Sequence, residues 1–207
     1  MTTPWESPAE SLGEHIERLA AIEAEADSVQ MWEPMLIPGL LQSYAYAAAA
    51  ITSLAPALPL DVVEQRADQR RHRIDQLGCP GQRSITVAID ESALYRPVGG
   101  YLVLAEQLER LTSLAALQPS LTLRVLPQSS QAHPGLSGAF ALYRASGRRA
   151  VFTETLTGST VSTRPEDVAA YASAWDRLLT LALPPKESMH LIESVRGSLC
   201  RSGKTMG

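Results

Sequence analysis

Three residue types in this sequence could move protons without a cofactor. Asp90 and Glu91 close a strand-like run, Ser84-Ile85-Thr86-Val87-Ala88-Ile89-Asp90. Strand ends before a crossover are where ligand sites form in open sheets. A carboxylate held there in apolar surroundings is pushed up toward the range of a general base. His133 lies in a loop, His133-Pro134-Gly135, and an imidazole exchanges protons near neutrality. Tyr95 stands four residues after Glu91 and could orient a ligand through its hydroxyl. Glu91 as base, His133 as acid and Tyr95 as orienting group form the candidate catalytic set. Each also has a structural reading: Glu91 bracing Arg96 or an arginine-bearing helix, His133 as a solvated loop residue, Tyr95 as core.

The candidate substrate contacts surround this set. Trp32, Met35, Leu36 and Leu40 belong to an apolar stretch, Met31–Leu41, interrupted by Pro34 and Pro38. Two prolines four apart forbid a regular helix, so the stretch reads as an extended connector, serving either as a pocket wall or as packing. Arg96 and Glu154 are the candidate polar contacts. In Val151-Phe152-Thr153-Glu154, Phe152 and Glu154 share a face by the period of two. A core-facing Phe152 therefore predicts a buried Glu154, which needs a cationic partner. Arg66, Arg70 and Arg73 recur at i, i+4, i+7 on one helical face and are natural partners. Asp61, Glu64, Asp68 and Asp75 lie close in sequence, so this face is either salt-bridged or an anion or carboxylate clamp.

Other chemistries find no support. Four scattered histidines and two cysteines, Cys79 and Cys200, make no metal signature or disulfide scaffold, and no metal is expected. No glycine-rich phosphate loop and no G-x-S-x-G elbow occurs, so neither a nucleotide cofactor nor an α/β-hydrolase nucleophile is expected.

The elements that must position these residues follow from periodicity. Ser7-Pro8 opens an amphipathic helix over 11–28; further helices cover Leu40–Leu54 and Val62–Leu77, ended by Gly78-Cys79-Pro80-Gly81. Strand Ser84–Asp90, helix Tyr101–Leu117 and strand Leu121–Leu126 predict one βαβ unit with a parallel strand pair. Ala139–Arg144 and Ala150–Thr155 flank the turn Ala145-Ser146-Gly147-Arg148 as an antiparallel hairpin, and 160–163 adds a short edge strand. Helices over Glu166–Leu181 and Glu187–Leu199 complete an α+β domain with a mixed four- to five-stranded sheet. Residues 1–8 and 200–207 read as tails around a single domain, 9–199.

Composition agrees with a globular chain. Of 207 residues, 45% are hydrophobic and 19% charged, with a formal net charge of -4. The acidic balance argues against direct nucleic-acid binding. No apolar run approaches the ~20 residues of a membrane span, and no leader is expected, which places the chain in the cytoplasm.

One stretch carries a specific resemblance: Trp32-Glu33-Pro34-Met35-Leu36-Ile37-Pro38-Gly39-Leu40-Leu41-Gln42-Ser43-Tyr44-Ala45-Tyr46. It resembles the C-terminal domain of unknown function of actinobacterial, antitoxin-like helix-turn-helix regulators, with Ser43 where they have Thr. The likeness continues in order through Arg66, Arg70 and Arg73, through Asp90–Leu94 with Arg96-Pro97-Val98-Gly99-Gly100, and through Val125-Leu126-Pro127, His133, Gly135, Gly138, Phe140 and Glu154. It covers roughly residues 15–195, although Ile74 stands where those regulators have Gln. They carry a DNA-reading domain of about seventy residues before this region; here fourteen residues precede His15, so the chain is expected to act without its own DNA reader.

Three readings follow as expectations, the third of them a bare structural or dimerisation domain. The first is a cofactor-free enzyme of natural-product biosynthesis, dehydrating or cyclising a hydrophobic, polyketide-type intermediate by proton transfer. The second is a non-enzymatic antitoxin-like or ligand-sensing domain that binds a protein partner. A homodimer is possible. A deep apolar pocket with converging polar groups favours the first; a flat, exposed apolar surface favours the second or third.

Overall fold

The computed structural model describes residues 19, 21–76, 83–155 and 158–203. The expected tail 1–8, the Ser7-Pro8 helix start and the Gly78–Gly81 stop lie outside these residues. The architecture is α+β, with helices at both ends of a mixed sheet.

The sheet has six strands rather than four or five, because a central one escapes the periodicity. Residues 21–25 are helical, but the helix does not run to Ser28. Instead Ser28–Glu33 forms strand β1, ended by Pro34. Val29 and Met31 face one side of the sheet and Trp32 the other. β2 (Ser84–Asp90) lies parallel to β1, and β3 (Leu121–Leu126) parallel to β2, as the βαβ reading requires. β4 (Phe140–Ala145) pairs antiparallel with the other edge of β1, and β5 (Arg148–Thr155) and β6 (Gly158–Ser162) continue as a meander. The spatial order is β3-β2-β1-β4-β5-β6. The β4–β5 turn places Ser146 at φ 47° and Gly147 at φ 83°, the left-handed pair that suits the twist of a two-residue hairpin.

The helices divide between the two faces. Helices α1 (Tyr44–Leu54), α2 (Leu60–Gln76) and α3 (Tyr101–Leu117) connect the parallel strands. They share one core with Val29, Met31, Val87, Ile89 and Leu123 of the sheet. α5 (Pro185–Gly203) joins this core through Ile192 and Val195. α4 (Pro165–Leu181) covers the opposite face, where Trp175 and Leu178 pack against Trp32, Ala88 and Leu142.

α1 starts later than its pattern implies. Gly39–Leu41 forms a single 3-10 turn, and Ser43 then caps α1, its Oγ accepting from the Tyr46 amide at 3.2 Å. A serine cap satisfies a free amide of the first turn and sets where the helix begins.

Candidate functional site

The C-terminal ends of the three parallel strands meet on one edge of the sheet. The chain leaves β1 through Pro34 and Met35, β2 through Glu91 and Tyr95, and β3 through Pro127 and the His133 loop. A shallow depression of about 240 Å³ opens there, lined by Asp90, Ser92, Gln128, Gln131, His133 and Leu136 among others. It is smaller than an ordinary small-molecule pocket, which starts at about 300 Å³.

The candidate catalytic residues gather at this edge, but the polar atoms of Glu91 and Tyr95 hold the chain together. Glu91 Oε2 accepts from the Gln128 amide at 2.9 Å, tying the β2 exit to the β3 exit. Glu91 Oε1 accepts from the Tyr95 hydroxyl at 3.4 Å. The Tyr95 phenol is pushed up, by partial burial and then by the Glu91 charge. Asp90 Oδ1 accepts from the Ser92 amide at 2.9 Å. His133 stands in the depression with its Nδ1 buried and without a partner among the described residues. Its ring meets Trp32 edge-on, with centroids 5.7 Å apart. Arg96 is exposed, and its Nε donates to the Met35 carbonyl at 3.1 Å, joining the β1 and β2 exits.

The connector does not wall this depression. Trp32 is 1% exposed on the α4 face of β1, its indole N–H donating to the Gly135 carbonyl at 2.9 Å. Leu40 is equally buried in the other core, and Leu36 is half-buried. Met35 alone projects outward, 54% exposed. Trp32 serves the core because both faces of the central strand β1 are covered by helices, and Leu40 because the Gly39–Leu41 turn packs into the core of the helical face.

Glu154 also departs from expectation. It shares a face with the half-buried Phe152, so the strand phase is right, but it is exposed and has no ion pair among the described residues. It sits near the end of β5, opposite Ser159 of β6, where burial along the strand has run out. Arg73 finds a different partner. Its Nε and Nη2 donate to Glu23 Oε2 and Oε1 at 2.6 and 2.7 Å, and the Tyr143 hydroxyl donates to Glu23 Oε1 at 3.1 Å.

A second polar cluster, not anticipated as such, lies on the helical face where β1 ends. Glu33 follows Val29 and Met31 at the period of two and points to α2. Burial raises its carboxyl from 4.5 to about 7, against the Met35 amide, which lowers it; the Glu154 charge raises it further and Arg70 lowers it. Arg70 is half-buried. Its Nη1 donates to Gln42 Oε1 at 3.0 Å, and Gln42 Nε2 donates to the Ile37 carbonyl at 2.8 Å. Burial lowers the Arg70 pKa, helped by repulsion from Arg73 and Arg66 and opposed by Glu154 and Glu33. Among the described residues, neither Arg66 nor Arg70 has a carboxylate within 4.0 Å. Glu33 was legible only as part of an unrecognised strand; the signal was Val29-x-Met31-x-Glu33, an alternation cut off by Pro34.

Among the described residues, no three His, Cys, Asp or Glu side chains lie together as a metal site, and no helix is long and apolar enough to cross a membrane. The family described as "Domain of unknown function (DUF5753)" matches residues 16–194. No curated protein matches the sequence.

Proposed function

We propose a binding rather than a catalytic role for this chain, which belongs to the DUF5753 family of domains of unknown function. In this reading it is the partner-binding domain of an antitoxin-like regulator of actinobacterial type. The observation that carries it is Glu91: both carboxylate oxygens are engaged, one by a backbone amide and one by Tyr95, so the best-placed base already braces two loops. The same loops expose apolar side chains, Met35 at 54%, Tyr95 at 46% and Leu136 at 69%. Large exposed apolar groups on one edge suit a protein partner better than a hydrophobic metabolite, which needs enclosure. The net charge of -4 favours a basic partner.

The test is binding to a small basic protein encoded beside the gene, measured by calorimetry. Replacing Met35, Tyr95 and Leu136 together by serine should weaken that complex at least about tenfold, since apolar anchors at an interface centre each carry about 1–2 kcal/mol or more. Unchanged affinity in the triple variant removes this edge from the interface.

The acid–base reading keeps one favourable observation, the unpartnered Nδ1 of His133 beside a polar depression. Turnover of an intermediate from a neighbouring biosynthetic cluster, lost in both Glu91→Gln and His133→Ala with unchanged melting, would restore it.

A further inference from the structure

We propose that the Arg70 guanidinium, with Arg66 one turn before it on α2 and Glu33 at the end of β1, binds the carboxylate of a small monoanionic ligand. The site lies on the helical face of β1, so the inference stands whether or not the strand-exit loops bind a protein.

Three observations support it. First, the guanidinium of Arg70 is half-buried and has one hydrogen bond among the described residues, to Gln42, leaving most of its five N–H donors uncommitted. Gln42 is itself 2% exposed and anchored on the Ile37 carbonyl, so it holds the fork in place. The Gly39 backbone lies against the same side chain: a Cβ there would sit 3.7 Å from Arg70 Nε and 3.8 Å from Arg73 Nη1. Second, Arg66 is also half-buried, adds its charge on the same helical face, and has no ion-pair partner among the described residues. Third, the acids that act on this cluster, Glu33 and Glu154, are held beyond ion-pair distance. A fold that wanted these charges only for stability would close them, as it closes Glu23 on Arg73. A guanidinium fork with open donors matches a carboxylate in plane and in spacing.

The charge balance selects the ligand class. Arg73 is neutralised by Glu23. Two cations, Arg66 and Arg70, then face the single charge of Glu154 and the partial charge of Glu33. The remaining groups that act on Glu33 or Arg70 are Arg73 of α2 and Tyr46 of α1; Tyr143 of β4 acts on Arg73, and Arg96 acts on Tyr46. The surplus accommodates one negative charge when Glu33 is protonated, and a neutral Glu33 can donate a hydrogen bond to the guest. A dianion would meet Glu154 with no cation left to offset it.

Nitrogen-15 NMR of the arginine side chains of the full chain gives the test, with sodium acetate as probe, sodium phosphate as second anion and sodium chloride as ionic-strength control. Acetate should move the Arg70 and Arg66 Nε–H signals to saturation. Since the competent form carries protonated Glu33, whose pKa is about 7, the affinity should be up to about tenfold higher at pH 6 than at pH 8. Arg70→Gln should weaken acetate binding about tenfold or more. Should that variant fail to fold, Arg66→Gln is expected to weaken it by a similar factor. Glu33→Gln should retain binding and lose the pH dependence. Shifts that do not saturate, or that chloride reproduces, overturn the site. Phosphate binding tighter than acetate overturns the monocarboxylate assignment, and a pH dependence that survives Glu33→Gln overturns the role of Glu33.

Discussion

Two acid–arginine meetings lie one helical turn apart on α2 and differ in outcome. At Glu23 and Arg73 the fork closes on the carboxylate through two bonds of 2.6 and 2.7 Å, and Tyr143 adds a third. Glu23 is 2% exposed, and its charge and hydrogen bonds raise the Arg73 pKa despite burial, which pulls it down. Burial, then the Glu23 charge, pushes the Tyr143 phenol well up. At Glu33 and Arg70 the same two groups stay apart, because Arg70 is held by Gln42 and Glu33 ends a rigid central strand. The first meeting ties residues 21–25 to α2 and β4. The second leaves opposite charges beyond ion-pair distance. Burial alone therefore does not decide whether an ion pair is structural; the decision lies in what else restrains each partner.

Breaking the closed pair should have the larger effect. Glu23→Gln leaves a guanidinium without its carboxylate, a loss of about 3–5 kcal/mol. Urea unfolding at pH 7 measures it; a loss below about 1 kcal/mol would mean that the two meetings are energetically alike. The open pair should respond in the opposite sense. The Glu33 carboxyl is raised from 4.5 to about 7 on folding, so the folded chain binds the proton more tightly than the unfolded one. Stability from this group is full below pH 4.5 and falls as the pH rises through about 7. Glu33→Gln removes that penalty and should stabilise the chain by about 1–3 kcal/mol at pH 8, with the gain vanishing below pH 4.5. A destabilised variant at pH 8 would show that Glu33 is a closed pair after all.

How far this contrast could be read from residues alone depends on whether the signal is local. The β2–α3–β3 unit was legible because alternation, a leucine stripe at 104, 108 and 111, and the stops at Gly99-Gly100 and Pro127 all lie within one stretch of chain. The hairpin was legible from Ser146-Gly147 for the same reason. β1 was not: its partners β2 and β4 stand more than fifty residues away, and Pro34 and Pro38 masked its short alternation. Losing β1 turned Trp32 into a pocket wall and hid Glu33; Leu40 was misplaced because the Gly39–Leu41 turn carries it into the core. The arginine face was legible as a spacing, but its partners were not. Which acid reaches Arg73 depends on where residues 21–25 cross α2, a tertiary fact with no local trace. The strand-exit residues Glu91, Tyr95 and His133 were correctly placed on one edge; that Gln128 would occupy Glu91 required the β3 register.

Glu154 gives the smallest and most discriminating perturbation. It is exposed and has no ion pair among the described residues, so Glu154→Ala should change stability by no more than about 0.5 kcal/mol, the ordinary range for a surface site. Its charge nevertheless reaches the open cluster, raising Glu33 and opposing the fall at Arg70. Removing it should let Glu33 ionise at lower pH and leave Arg70 less favourably charged. Carboxyl carbon-13 titration of Glu33 in the two proteins reads this directly, and low salt enlarges the difference because the interaction crosses partly solvated space. A Glu33 titration that does not move, with stability also unchanged, would confine the cluster to Glu33 and the arginines. A loss of 3 kcal/mol or more would instead make Glu154 a buried partner, as the alternation of β5 first implied, and would close the gap on which the contrast rests.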